Sequence, residues 1–347
     1  MDLELEKLES LYTDLVNERV GGKAINCSDE WFAPSENLVK HSEPIFRKGH
    51  FVSTGQWMDG WESRRSFGRA GPDGVASDHD WCILRLGIPG RIVKVNVETT
   101  HFTGNSPQEV ALDGVWCEAS PGADTQWFEL VARSPVEAHS HNLFDVASPR
   151  RCSHLRLRIF PDGGVARLRA WGIARPHPEN YLPGEFVDLA SVMLGGRGQR
   201  CSNMFYSSPS NLLMPYPGTN MGDGWETKRR RDEGHDWCVV RLGVPGSIRK
   251  VIVDTAHFKG NFPDYFTLDA CRAEGDDALA EGAEWRQIIG PNHLGPDDQH
   301  LYIEEIQAHS EAEFTHVRLN IYPDGGVSRL RIIGLPNWDA INEPDRA

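Results

Sequence analysis

The chain repeats itself, and this repetition restricts its architecture more than any other feature of the sequence. "DGWESRR" from Asp59 recurs as "DGWETKRR" from Asp223, and "FPDGGVARLR" from Phe160 recurs as "YPDGGVSRLR" from Tyr322. "HDWCILRLGIPGRIVKV", which begins at residue 79, recurs as "HDWCVVRLGVPGSIRKV" from residue 235. Self-similarity over such long stretches indicates two copies of one domain.

These copies define the predicted domain boundaries. We predict homologous domains over residues 12–175 and 186–347, the second ending in a short C-terminal tail. Residues 1–11 form an N-terminal tail with apolar residues at helical spacing. Residues 176–185 contain Pro and Gly, which suits an extended linker.

The distance between aligned residues changes along the chain. It is 174 residues from Cys27 to Cys201, but 156 residues from His79 to His235. Loops of the two copies therefore differ in length. The first copy carries an insertion of eight residues between Arg65 and His79.

Within each copy the apolar residues alternate as they do in strands. Val93, Val95 and Val97 alternate with polar residues, and the same period of two runs through residues 154–160. We expect one face of each strand to be buried. Gly- and Pro-containing sequences punctuate these runs and predict turns at residues 87–90, 161–164, 243–246 and 323–326. Many short strands of this kind predict an all-β chain with two tandem jelly-roll β-sandwich domains.

Composition narrows the function. The formal net charge of −14 argues against a nucleic-acid partner, because a polyanion requires a basic surface. No apolar run is long enough to span a membrane, and the acidic N-terminus lacks the apolar core of a signal peptide. Seven cysteines without a C-x-x-C pair are typical of free thiols in a reducing compartment. We therefore expect a cytoplasmic protein without disulfides.

Taken together, the repeated phrases "DGWES", "HDWC", "HFTGN" and "PDGGV" resemble those of the allantoicase family over nearly the whole chain. The resemblance implies tandem jelly-roll domains of the galactose-binding-like type. It also implies an enzyme of purine degradation, which hydrolyses allantoate to (S)-ureidoglycolate and urea. The expected partner is therefore a small anionic substrate, and the expected assembly is a homo-oligomer.

This reaction requires a cation for the carboxylate, an acid for the departing urea nitrogen and a base for water. Arg65 and Arg229 align between the copies and are the predicted carboxylate clamp. Glu62 and Glu226 stand three residues before these arginines. We interpret them as acid–base residues or as partners in ordinary ion pairs. The neighbouring Trp61 and Trp225 are interpreted as packing anchors or as stacking walls for a ureido group.

Further repeated polar residues stand beside predicted strands, where loops meet the rim of a sandwich. The catalytic candidates among them are His79, Asp80, His101, His235, Asp236 and His257. Asn105 and Asn261 are hydrogen-bond donors or turn formers. The two histidines of each copy suggest a divalent metal, but no tight ligand spacing is present, so the cofactor remains open.

Two hypotheses on function remain open at this point. The first is hydrolysis of allantoate, and the alternative is a non-catalytic tandem module that binds a sugar or another small ligand, because fold alone does not separate them. If the chain is an enzyme, we expect the copies to have unequal roles, since removing one of two identical ureido arms needs an asymmetric pocket. One site per chain is then expected, formed by one copy, by both copies or together with a neighbouring subunit. The two copies differ in that Arg64 of the first aligns with Lys228 of the second, and in the insertion of the first copy.

Overall fold

The computed structural model describes residues 11–65, 77–176, 178–273, 283–307 and 312–341, together with Leu5, Leu8 and Glu9. The described residues divide into two compact units. The first contains the described parts of Thr13–Arg175, and the second contains the described parts of Pro176–Pro344 and of Met1–Tyr12. The N-terminal tail therefore groups with the second repeat, and its described residues Leu5, Leu8, Glu9 and Leu11 have helical backbone.

Antiparallel strands build both units, and short 3-10 helices are interspersed between them. The described strands of the first unit are β1 (Thr13–Asp14), β2 (Lys23–Cys27), β3 (Phe51–Val52), β4 (Gly55–Gln56), β5 (Trp61–Glu62), β6 (Asp80–Glu98), β7 (Glu109–Val115), β8 (Phe128–Pro135), β9 (His141–Asp145), β10 (Arg151–Phe160), β11 (Gly164–Val165) and β12 (Arg167–Ala174). Those of the second unit are β13 (Val187–Asp188), β14 (Arg197–Cys201), β15 (Trp225–Glu226), β16 (Asp236–Asp254), β17 (Tyr265–Cys271), β18 (Arg286–His293), β19 (Gln299–Tyr302), β20 (Phe314–Tyr322), β21 (Gly326–Val327) and β22 (Arg329–Pro336). The 3-10 helices span Glu18–Val20, Ser35–Val39, Pro178–Asn180, Val192–Leu194, Pro209–Leu213, Met221–Asp223 and Trp338–Ala340.

One long strand belongs to both layers of each sandwich. The first half of β6 pairs with β2 and β10, and β10 continues to β7 and β8. The second half of β6 pairs with β12 and β9, and β12 also pairs with β1. Strand β16 takes the same place in the second unit, between β14 and β20 in one layer and β19 and β22 in the other. The predicted all-β fold with two tandem jelly-roll sandwiches is confirmed.

Two local predictions were wrong. Residues 87–90 and 243–246 were expected to be turns, but they lie inside β6 and β16, where each strand changes partners. Glycine is needed at residue 87 for close approach, because a Cβ there would lie 2.3 Å from the Val20 carbonyl oxygen. At the end of β6 both faces are buried, since Asn96 and Glu98 are 2% and 3% exposed.

The strand β10 follows its predicted pattern, and the sequence after it forms the predicted turn. Leu155, Leu157 and Ile159 are fully buried, whereas the arginines between them are partly exposed. Gly163 has a φ of 129°, which requires glycine, and the Gly164 N–H donates to the Asn105 carbonyl at 2.7 Å. This turn therefore joins the loop that follows β6.

Within the described part of the chain, no helix has the length and apolar character required to cross a membrane. The seven cysteines are free thiols. Burial raises the pKa of Cys27 and Cys201 to about 11 and that of Cys152 to about 12, so these thiols stay protonated at neutral pH.

Candidate functional site

A cavity of about 480 Å³ opens in the first unit, where four separate loops meet. Three of its lining residues, Phe32, Phe46 and Met58, are apolar. Gly55 and six polar residues complete the described lining. The polar residues are Gln56, Glu62, His101, Thr103, Asn105 and His139. The structure thus brings together three residues predicted from the sequence, namely Glu62, His101 and Asn105.

Glu62 supplies the only carboxyl group in the described lining of this cavity. It lies on β5, which pairs with β11 directly after the turn at Gly163. The Asn105 amide donates to Glu62 Oε1 at 2.8 Å. Burial raises the pKa of Glu62, and the Asn105 hydrogen bond opposes this rise only in part. The carboxyl therefore holds its proton to a higher pH than an exposed glutamate does.

Two imidazoles, those of His101 and His139, line the same cavity as this carboxyl, and their hydrogen bonds define which nitrogens carry protons. The His101 ring is directed by its Nε2, which is 3.2 Å from the Pro44 carbonyl oxygen and therefore donates to it. In the neutral ring, Nδ1 of His101 is then a free base. His139 Nδ1 accepts the His101 backbone N–H at 2.8 Å, so the neutral His139 ring carries its proton on Nε2.

The backbone around these histidines is held in a rarely used conformation. His101 has a φ of 71° and His139 a φ of 53°, both in the left-handed region. Such angles cost about 1–3 kcal/mol each and persist where surrounding contacts enforce them. The His139 N–H donates to the Phe102 carbonyl at 3.2 Å, so the two loops lock each other in place.

A hairpin formed by β3 and β4 supplies one wall of the cavity, and sequence reasoning missed it. In the first unit, 15 positions separate Pro44 from Asp59, but only 5 separate the corresponding Gly218 from Asp223. The correspondence is structural, because His101 Nε2 donates to the Pro44 carbonyl as His257 Nε2 donates to the Gly218 carbonyl. The first repeat thus carries ten further inserted residues. The drop in spacing between aligned residues, from 174 to 164, was the available signal.

The repeated tryptophans lie in the core and away from the cavity. Trp61 and Trp225 are both 0% exposed, and they are the largest fully buried side chains. Each indole N–H donates to a backbone carbonyl, that of Asp29 at 2.8 Å and that of Asn203 at 2.9 Å. This placement fits the packing interpretation and does not fit a stacking wall for substrate.

Arg65 and Arg229 are also outside the lining. Both side chains are exposed, and the described lining of the cavity contains no Arg or Lys. Arg64, which aligns with Lys228, donates to Asp29 Oδ1 at 2.6 Å. The predicted arginine clamp therefore has no support from the cavity. The inserted loop that follows Arg65 falls on residues 66–76, outside the described residues.

The histidines and aspartates at the start of the long strands serve local contacts. His79 Nδ1 lies 2.7 Å from Asp78 Oδ1, and the His235 ring stacks on Tyr322 with a centroid distance of 4.5 Å. Asp80 and Asp236 are buried and accept hydrogen bonds from serine hydroxyls, Ser28 at 2.8 Å and Ser202 at 2.7 Å. None of these four predicted residues lines the cavity.

The second unit repeats part of the arrangement. Asn261 donates to Glu226 Oε1 at 2.6 Å, and His257 has a φ of 73°. The position of His139, however, is occupied by Asp297, whose Oδ1 accepts the His257 backbone N–H at 2.7 Å. His139 escaped the sequence reasoning because it is not repeated.

Metal binding is not supported by the arrangement of ligand side chains. Across the described ranges, no three His, Cys, Asp or Glu side chains come together as a set that would hold a metal ion. The histidines paired in the sequence hypothesis, His79 and His101, have separate partners, Asp78 and Pro44.

The fold and the cavity define a class of protein: a tandem jelly-roll protein whose first repeat brings a carboxyl, two carboxamides and two imidazoles into one cavity. Comparison with known proteins agrees with this class. The family model described as "Allantoicase repeat" matches residues 13–175 and again residues 187–337. The chain belongs to the allantoicase family.

Individual relatives cover almost the whole chain. A probable allantoicase of Pseudomonas aeruginosa (strain LESB58) is 42% identical over 329 residues, which are 94% of this chain and 96% of that protein. The allantoicase of Dictyostelium discoideum is 40% identical over 92% of this chain and 86% of its own length. The crystal structure of allantoicase from Saccharomyces cerevisiae aligns with a TM-score of 0.78 at 34% identity, covering 96% of this chain and 99% of that one.

Proposed function

We propose that the chain hydrolyses allantoate to ureidoglycolate and urea in the cavity of the first repeat. The observation that carries this proposal is the convergence of Glu62, His101 and Asn105 on one cavity. Membership of the allantoicase family supplies the reaction. The presence of a carboxyl and two imidazoles in one cavity supports an acid and a base acting together.

Glu62 is the acid in this proposal. Urea leaves as a neutral molecule only if its nitrogen receives a proton while the bond to the central carbon breaks. The electron pair of that bond goes to the departing nitrogen, and the proton comes from Glu62. Burial supports this role, because it raises the pKa of Glu62 and so keeps more of the group protonated. Asn105 orients the carboxyl through its 2.8 Å hydrogen bond.

His101 is the base. Its Nε2 is committed to the Pro44 carbonyl, so Nδ1 is the nitrogen that takes the proton from water. The water oxygen bonds to the central carbon that urea has left, which gives ureidoglycolate. His101 then releases its proton to solvent and Glu62 regains one, so the reaction consumes one water and no net proton.

The test compares the two repeats directly. Glu62→Gln keeps the size of the side chain but cannot donate an acidic proton, and we expect urea release from allantoate to fall by about 100-fold or more. The matched control, Glu226→Gln, changes the equivalent residue of the second repeat, and we expect activity within about twofold of wild type. Both variants are checked for folding by circular dichroism.

Other results would contradict the proposal. Wild-type protein that releases no urea from allantoate would refute the activity. If Glu226→Gln lost activity and Glu62→Gln retained it, the active site would lie in the second repeat. If each variant retained half of the wild-type activity, the chain would have two equivalent sites. A chelator in the same assay tests the metal that the histidines left open, and we expect no loss of activity.

A further inference from the structure

Two loops that occupy the same place in the two units differ in chemistry. His139 lies between β8 and β9, and Asp297 lies between β18 and β19. Each has a φ of 53°, and each donates its N–H at 3.2 Å to the carbonyl of an equivalent phenylalanine, Phe102 or Phe258. Each also accepts the backbone N–H of the facing histidine through its side chain. The two residues therefore perform the same structural task.

Their surroundings differ in a second position. In the second unit, Lys259 Nζ lies 3.7 Å from Asp297 Oδ2, so these two side chains form an ion pair. The residue aligned with Lys259 is Thr103, which lines the cavity of the first unit together with His139. Among the described residues, neither the Thr103 hydroxyl nor His139 Nε2 has a hydrogen-bond partner.

An anionic ligand in this cavity has few donors available to it. The described lining contains no Arg or Lys, the Gln56 amide donates to backbone carbonyls, and one of the two Asn105 amide N–H groups donates to Glu62. His139 Nε2 carries the proton of the neutral ring because Nδ1 accepts from the backbone. A carboxylate accepts strongly from such N–H and O–H groups, and bonds to a charged acceptor are about twice as strong as neutral ones.

We propose that His139 and Thr103 form the carboxylate subsite of the first-repeat cavity, and that the Lys259–Asp297 ion pair occupies the equivalent place in the second repeat. The chain then binds one substrate carboxylate for its two repeats. This inference rests on the proposed function for the identity of the natural ligand. The subsite itself is defined by donor chemistry and is tested by binding without turnover.

The experiment uses two probes of the same size, one with a carboxylate and one with a neutral amide in its place. N-carbamoylglycine carries one ureido arm and a carboxylate, whereas N-carbamoylglycinamide carries the same arm and a neutral amide. Calorimetric titration of the full chain gives the Kd of each. We expect wild type to prefer the acid by about 10-fold or more, the effect of a hydrogen bond to a charged group.

The key variant is His139→Asn. Asn Oδ1 accepts the His101 N–H as His139 Nδ1 does, whereas the shorter Asn amide does not extend to the place of the ring Nε2–H. We expect the acid to bind about 10-fold more weakly and the preference over the amide to disappear. Thr103→Val, which removes only the hydroxyl, should reduce the preference by about threefold to tenfold. The matched control Asp297→Asn should leave it unchanged.

Several outcomes would overturn the subsite. These are a wild type without preference for the acid, an unchanged preference in both His139→Asn and Thr103→Val, or an equal loss in Asp297→Asn. The result is separable from the proposed function. A protein that does not hydrolyse allantoate but loses its acid preference in His139→Asn would refute the reaction and retain the subsite.

Discussion

Replacement of Asp59 by Asn tests why the phrase "DGW" is repeated. Asp59 Oδ2 accepts from Arg167 Nη2 at 2.8 Å, and the two side chains are 6% and 0% exposed. The same carboxylate accepts the Ile45 backbone N–H at 3.1 Å, which fixes the start of the chain segment that leads to Phe46 in the cavity. Asp59→Asn leaves a buried guanidinium without its counter-charge.

The expected loss of unfolding free energy depends on the hydrogen bonds that Arg167 retains in Asp59→Asn. Removing one member of a buried pair destabilises a protein by about 3–5 kcal/mol. Arg167 retains hydrogen bonds to the carbonyls of Ser42, Asp59 and Ala166, so we expect the lower end, about 3 kcal/mol. With a urea slope of about 2 kcal/mol per M, the unfolding midpoint should fall by about 1.5 M.

The pH dependence provides the control. Burial alone would raise the pKa of Asp59, but the Arg167 hydrogen bond, the Ile45 N–H and the positive charges hold it below its ordinary value. Because the pKa of Asp59 is lower in the folded state, its ionised form stabilises the protein above the unfolded-state pKa of about 4. This stabilisation is lost as the pH falls through the folded-state pKa. A midpoint shift under about 0.3 M at pH 7, or a shift undiminished toward pH 2, would refute the reasoning.

Three further predictions concern the cavity and its supports. Gly164→Ala should destabilise the first repeat by about 2 kcal/mol or more in urea unfolding, because the new Cβ would lie 2.0 Å from Phe102 Cε1; a neutral result would mean that Phe102 has room to move. The kcat of wild type should fall as pH rises through the raised pKa of Glu62, and Glu62→Gln should lack this limb; an identical profile would exclude Glu62 as the acid. Arg65→Lys should leave the KM for allantoate within about twofold, and a tenfold rise would restore the arginine clamp.

The sequence predicted the architecture well because the repeat and the strand pattern are local features. Leu155, Leu157 and Ile159 alternate with arginines in β10 as expected. The turn at Gly163 was predictable because its positive φ favours glycine whatever surrounds it. The sequence failed at residues 87–90, where Gly and Pro were interpreted as a turn. A strand that passes from one layer to the other also uses Gly and Pro where it changes layers. Only the strands that pair with it distinguish this case from a turn.

The candidate site was predicted less completely, for a physical reason. Residues shared by both copies are mainly those that both copies need in order to fold, as the buried Trp61 and Asp80 show. A search for repeated residues therefore favours structural ones. His139 and the β3–β4 hairpin belong to one copy only, and so the repetition concealed them.

The central claim is that one cavity, in the first repeat, serves each chain. Calorimetric titration of the full chain with N-carbamoylglycine measures this as a stoichiometry, without dependence on catalysis. We predict one bound ligand per chain, and we predict that His139→Asn weakens this binding while Asp297→Asn does not. Two equivalent sites per chain, or a single site lost only when the second repeat is altered, would contradict the account.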